Sequence, residues 1–232
     1  MNKLKFCFVL LLMLPLGLLA QDGALSDKPL QIFTLGDSNG TFPHSWPKQL
    51  MLALPNAQVF NISKSGRTIG FLNLGDSTLN SLLVIDDNLK KAADFAKDRP
   101  FDFVVLELGT NDGKAVFADR QAEVAANLEK LISKIKTCNY SSINKARIII
   151  IAPPQYGTKA EETGKYKGGT QRVKAMSKAF KAVAKKTGCL FVDGYRTPGL
   201  DINAMTTDGL HLDATASRKL IEPVVATMLK NK

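Results

Sequence analysis

Histidine and cysteine are scarce in this chain of 232 residues, which has only two histidines and three cysteines. No two cysteines stand at the close spacing of a zinc site, and only His44 and His211 could assist, so a structural metal centre is not expected. Cys7 falls in an N-terminal apolar stretch, which leaves Cys138 and Cys189. Both should lie near the lower rim of a sheet, and spacing alone leaves a disulfide and two free thiols equally open. Beyond the first twenty residues no apolar run is long enough to span a membrane. No basic run is interleaved with aromatics, as a nucleic-acid groove would require, despite a formal charge of +10. Internal repeats, low-complexity tracts and interdomain linkers are missing too.

What is present begins with an export signal. Lys3 and Lys5 make a positive start, Phe6 to Leu19 an apolar core, and Ala20 a small residue before the cut, so residues 1–20 read as a signal peptide. No cysteine follows the core, so a lipid-modified N-terminus is not expected. Removing the signal leaves a charge of about +8. Residues 21–29 read as a mobile leader and residues 30–232 as a single domain exported to a periplasmic or extracellular location. The excess charge is explained by Lys174, Lys178, Lys181 and Lys185. They recur at helical spacing opposite Val173, Met176, Phe180 and Val183, as the wet face of an amphipathic helix.

Apolar runs and helical stripes then alternate. Strands are expected at Leu30–Leu35, Ala57–Ile62, Phe101–Leu108, Ile148–Ala152 and Cys189–Asp193. Helices are expected at His44–Leu54, Leu79–Lys97, around Val124–Ile135, along the lysine stripe to Gly188, and at Ala214–Lys230, the last with an irregularity at Pro223. The nearly unbroken Ile148–Ile151 run is that of a parallel strand covered on both faces. Repeated strand–helix alternation implies an α/β fold: a five-stranded parallel sheet in a three-layer α/β/α arrangement.

The first strand runs into Gly36-Asp37-Ser38-Asn39, leaving a hydroxyl at its carboxyl end, where open α/β sheets place their chemistry. Gly75-Asp76-Ser77 repeats the tripeptide without a preceding strand and reads as a turn or helix cap, so the tripeptide alone decides nothing. Ser38 would need a base and an orienting acid. His211 follows Asp208 by three residues, with Gly209 easing the turn, so that the carboxylate can fold back onto the imidazole. An oxyanion would need donors, which the backbone at Gly66 and the amide of Asn111 can offer after strands two and three.

Gly36-Asp37-Ser38-Asn39, the lone Gly66, Gly109-Thr110-Asn111-Asp112 and Asp208-Gly209-Leu210-His211 together resemble the four motifs of the SGNH hydrolases, or GDSL-type esterases. The resemblance runs from about Leu30 to His211 and implies a flavodoxin-like strand order, 2-1-3-4-5. It also implies Ser38 as nucleophile, His211 as base, Asp208 as its orienting acid, and an oxyanion hole from the Ser38 backbone, Gly66 and Asn111. Asn39 stands where many members have Leu. The Gly-X-Ser-X-Gly elbow of the other large esterase fold is missing around Ser38.

The expected activity is hydrolysis of short acyl esters, O-acetyl first, on a small molecule or saccharide, with neither metal nor organic cofactor. Among aromatics expected near the rim (Phe42, Trp46, Phe71, Tyr156 and Tyr195), Trp46, Phe71 and Tyr156 are the candidate substrate contacts. A lysophospholipase or thioesterase is the alternative activity, and a catalytically silent carbohydrate-binding domain the alternative class. Glycosylation triplets at Asn39, Asn61 and Asn139 read as chance, since a glycan on Asn39 would block Ser38. Oligomeric state and natural substrate are left open.

Overall fold

The computed structural model describes residues 28–232, so the expected signal peptide and all but the end of the leader lie outside the described residues. Five strands form one sheet: β1 (Gln31–Gly36), β2 (Gln58–Asn61), β3 (Phe103–Glu107), β4 (Arg147–Ile151) and β5 (Leu190–Val192). Every pairing is parallel and the order is β2-β1-β3-β4-β5, as the motif resemblance implies. The register places Gly36 beside Glu107 and Glu107 beside Ile151, so the carboxyl ends of the central strands share one rim.

Side-chain alternation splits the core in two. Phe33 and Leu35, Val104 and Leu106, and Ile148 and Ile150 face one layer of helices. That layer is α2 (Ser81–Ala96), α3 (Gln121–Lys136) and, after a single turn α4 (Thr158–Glu161), α5 (Gly169–Thr187). Ile32, Phe103 and Val105, and Ile149 and Ile151 face the opposite layer, α1 (Trp46–Ala53) and α6 (Ala214–Lys230). The stripe Val124, Leu128, Leu131, Ile132 and Ile135 is buried as its period requires. β2, at one edge, keeps its residues exposed or half-buried.

Several boundaries differ from the sequence expectation. α1 starts at Trp46, with Pro47 in its first turn where a missing N–H costs nothing. α6 runs through Pro223 without a break. Ser77 lies in a 3-10 turn, in keeping with its reading as a turn residue, where the Asp76 side chain accepts the Thr78 N–H, and Asn80 caps α2. Cys138 and Cys189 are free thiols, both half-buried. No described helix is long and apolar enough to cross a membrane.

Candidate active site

β1 ends at Gly36 and the chain turns at once into a 3-10 turn, Ser38–Gly40. Asp37 sets that turn, its Oδ1 accepting the Asn39 N–H at 3.0 Å. Ser38 is thereby held at the carboxyl end of the sheet. His211 arrives from the loop before α6, 173 residues later, with Nε2 at 3.0 Å from Ser38 Oγ. Its Nδ1 lies 2.5 Å from Asp208 Oδ2. The other oxygen, Asp208 Oδ1, accepts the backbone N–H groups of Leu210 (2.9 Å) and His211 (2.8 Å). The acid is therefore locked in a turn of its own making. Gly209 makes that turn feasible, with φ at +78° and the Ala160 amide nitrogen 2.7 Å from where a Cβ would stand. Partial burial pushes the Asp208 carboxyl up, but the bonds from His211 and Leu210 outweigh it and hold it below its ordinary value.

Asn39, read from the motif as a variable position, ties the two halves of the site together. Its Nδ2 donates to Leu210 O (3.4 Å) and its Oδ1 accepts from Leu212 N (3.0 Å). Phe42 closes the other side, its ring edge-on to His211 (centroids 5.3 Å apart, planes at 76°) and stacked on His44 at 5.6 Å. His44 meets Leu212 O through Nε2 at 3.2 Å and lies apart from the Ser38–His211 contact.

The loop after β2 supplies Gly66, at φ +83°. That loop is fastened to the nucleophile turn by Lys64 N donating to Gly36 O (3.1 Å) and Asn61 Nδ2 donating to Gly40 O (2.8 Å). Asn111, in the turn after β3, donates one amide hydrogen to Arg67 O at 3.1 Å, which brings it against the residue following Gly66. Its second amide hydrogen has no partner among the described residues, and neither do the Ser38 and Gly66 backbone N–H groups. Asp112 binds the same loop, its carboxylate accepting the Ile69 N–H at 3.0 and 3.1 Å, and burial raises its pKa to about 7.

Beneath the nucleophile lies an acid pair that no local motif announces. Glu107, at the end of β3, and Asp37 are both wholly buried. Burial, and then the charge of Asp37, push the Glu107 carboxyl well up, with the Trp46 indole acting against them. Burial likewise raises Asp37, opposed by Asn39, Thr110, His211 and Lys114.

The three aromatic substrate contacts expected from sequence are corrected. Trp46 is 0 % and Phe71 1 % exposed and both sit in the core, while the Tyr156 hydroxyl is committed to a backbone carbonyl. Trp46 packs under the nucleophile turn, with its ring carbon Cζ2 3.2 Å from the place a Gly36 Cβ would take. Phe71 stacks on Phe117 at 4.6 Å. Tyr156 donates its hydroxyl hydrogen to Thr110 O behind the Asn111 turn. Phe71 and Tyr156 belong to the core under α2, α3 and α5 and Trp46 to the core under α1 and α6, so these large rings fill core instead of platform. No group of three or more potential metal-ligating residues is found among the described residues.

Residues 30–219 match the family model of the GDSL-like lipase/acylhydrolases. Among solved structures, a carbohydrate acetylesterase from Sinorhizobium meliloti is 22 % identical with a TM-score of 0.74, over 88 % of this chain and 100 % of that one. An aryl esterase from M. smegmatis is 21 % identical with a TM-score of 0.72, over 87 % and 99 %. A structure described as TesA is 21 % identical with a TM-score of 0.61, over 87 % and 98 %. At these identities the structures speak to the fold. The search of curated proteins gave no match. The family match covers most of the chain, including all four motifs of the site, and the chain belongs to the GDSL-like lipase/acylhydrolase family of SGNH-type ester hydrolases.

Proposed function

We propose that this ester hydrolase is an exported serine esterase that removes short acyl groups, O-acetyl first, from a carbohydrate through an acyl-enzyme on Ser38. One observation carries the reading: the unbroken line from Ser38 Oγ through His211 Nε2 and Nδ1 to Asp208 Oδ2, at 3.0 and 2.5 Å. Asp208 holds the proton on Nδ1, which leaves the Nε2 lone pair facing the hydroxyl. His211 takes the Ser38 proton as Oγ attacks the acyl carbonyl. The resulting oxyanion is received by the Ser38 and Gly66 N–H groups and the spare Asn111 hydrogen. The imidazolium then gives its proton to the departing alkoxide. A water, deprotonated by the same nitrogen, attacks the acyl-enzyme and releases the carboxylic acid.

The carbohydrate reading is supported by a cavity of about 450 Å³ beside His211, where Phe42 and His44 face Thr206, Thr207, Asp208 and Asp213. A leaving alcohol must stand next to the nitrogen that protonates it, and this lining joins hydroxyls and carboxylates to the Phe42 ring, Ala204 and Leu212, a mixed surface that suits the polar edges and apolar face of a sugar. Export is supported by the signal-peptide pattern of residues 1–20. A second reading, a longer-chain acylhydrolase, is favoured by exposed Leu72 and Leu74, on the loop that Asn73 fastens to Lys114, and by exposed Val116. A panel of acetyl, butyryl and octanoyl esters, with acetate release from acetylated polysaccharides, separates the two. Acetyl preference with polysaccharide deacetylation is expected, and octanoyl preference sinks the carbohydrate reading. Ser38→Ala should abolish turnover without changing the melting temperature; undiminished hydrolysis would remove Ser38 from the mechanism.

A further inference from the structure

Lysines ordinarily leave their ammonium in water. Lys114 does not: it is 3 % exposed. Its Nζ donates to Asn73 Oδ1 at 3.0 Å, and Asn73, 2 % exposed, donates from Nδ2 to Gly66 O at 2.6 Å. The next carbonyl, Arg67 O, is the one held by Asn111. The chain is thus gripped at two consecutive carbonyls beside the Gly66 N–H. The same turn after β3 supplies both Asn111 and Lys114, its backbone closed by Lys114 N donating to Asn111 O at 3.3 Å.

A buried hydrogen-bond donor would have been enough to hold Asn73, whereas a buried charge is costly and points to a use for the charge itself. Resting on the esterase reading above, we propose that Lys114 is a positioning residue of the oxyanion hole. Through Asn73 it fixes the Gly66 peptide and brings a positive charge to the side of the site where the carbonyl oxygen becomes negative. Preorganised charge in a water-poor site acts most strongly on the charge that develops in the transition state, so its removal lowers kcat more than it changes KM. Four groups from the surrounding elements face the ammonium: Asp37 from the turn after β1, Asp112 from its own turn, and Lys165 and the Tyr166 ring from the segment before α5, the ring centroid at 5.9 Å. Burial, and then Lys165, bring the ammonium down to about 8, with Asp37 and Asp112 acting the other way. The charge is therefore present below that pH and lost above it.

The experiment measures kcat and KM for phenyl acetate from about pH 6 to 9.5, in the wild type and in Lys114→Gln, Lys114→Arg and Asn73→Ala, with a thermal melt of each. Gln can keep the bond to Asn73 without the charge, and Arg can keep both. For Lys114→Gln the expectation is an about tenfold loss of kcat with KM inside about twofold, and loss of a one-proton alkaline limb near pH 8. Lys114→Arg restores kcat and carries the limb beyond the alkaline end of the range. Asn73→Ala, which frees the Gly66 carbonyl but leaves the charge in place, lowers kcat while keeping an alkaline limb, and the double variant loses more than either single one. A kcat for Lys114→Gln within about twofold of wild type, or an unchanged alkaline limb, overturns the inference. If the Lys114 variants do not fold, the wild-type profile decides: no limb near pH 8 overturns it, and a limb together with the Asn73→Ala loss upholds it. A wild type inert toward every ester sinks the esterase reading and this inference with it, whereas an active wild type indifferent to Lys114→Gln sinks this inference alone.

Discussion

The Asp208 carboxylate does two things with two different oxygens, and substitution can part them. Oδ1 accepts the Leu210 and His211 N–H groups, while Oδ2 faces His211 Nδ1. In Asp208→Asn the single carbonyl oxygen is claimed by the two backbone donors, which turns the amide NH2 toward Nδ1. Nδ1 must then accept, the imidazole proton moves to Nε2, and the nitrogen facing Ser38 can no longer take a proton. The productive arrangement survives only when the amide flips and gives up both backbone bonds, at about 1 kcal/mol each. That is roughly 2 kcal/mol in all, so about one molecule in thirty is competent. Asp208→Ser is the reference, because a serine hydroxyl can still accept from the turn while leaving Nδ1 to water. It loses the charge opposite the imidazolium. The Asp208 side chain is 48 % exposed, so solvent screens that charge. A charged hydrogen bond is worth about 1.5–3 kcal/mol, and with screening the low end applies, about tenfold in kcat/KM. The Asn variant should therefore fall about thirtyfold below the Ser variant, against the order that isosteric similarity suggests. The assay is kcat/KM for a short-chain ester at pH 7.5 in the three proteins, with melting curves to show that each is folded. An Asn variant as active as the Ser variant would refute the reasoning, because the two backbone donors would then not be fixing the amide.

Other consequences concern stability. Trp46→Ala should cost about 3–5 kcal/mol in urea unfolding and leave acyl-chain preference unchanged in the folded fraction, since the ring fills core; altered substrate preference at native stability would return Trp46 to the rim. Asp112, raised by burial from 3.8 to about 7, favours the folded state only while protonated. Its share of the stability should thus decline by up to roughly 4 kcal/mol as pH rises from 4 to 8, in addition to what the raised Asp37 and Glu107 carboxyls lose, and Asp112→Asn should make the decline shallower by that share, with equal pH slopes in the two proteins as the contrary result. Asn39→Ala leaves the buried Leu212 N–H without its partner and should lower stability by about 1–3 kcal/mol together with kcat, the latter because the Ser38–His211 spacing loosens; full activity at reduced stability would make the bridge purely structural.

The layers were legible in sequence because periodicity is a local signal. The Ile148–Ile151 run and the Val124–Ile135 stripe announce their faces without knowledge of the partner that buries them. Ser38, Gly66, Asn111 and the Asp208–His211 turn could be nominated because each sits beside a strand end, and strand ends in a parallel sheet must share a rim. The supporting groups carry no such mark. Asn73 and Lys114 meet across 41 residues, and Asn39 reaches Leu210 across 171, through bonds to single backbone or amide atoms that leave no spacing pattern. The aromatics failed for a related reason: a ring near a strand end, whether in a loop like Phe71 and Tyr156 or at a helix start like Trp46, can point outward or into the core, and composition does not tell which.

The Asn39 bridge also bears on how the molecule reaches its working state. It joins the first turn of the sheet to the loop before the last helix, and the Ser38–His211 contact closes the same long loop. Contacts so distant along the chain form only after the loop-closure entropy between them has been overcome, which places them late in folding. Hydrolysis can therefore begin only once the C-terminal segment has docked. The onset of turnover during refolding should time that docking step.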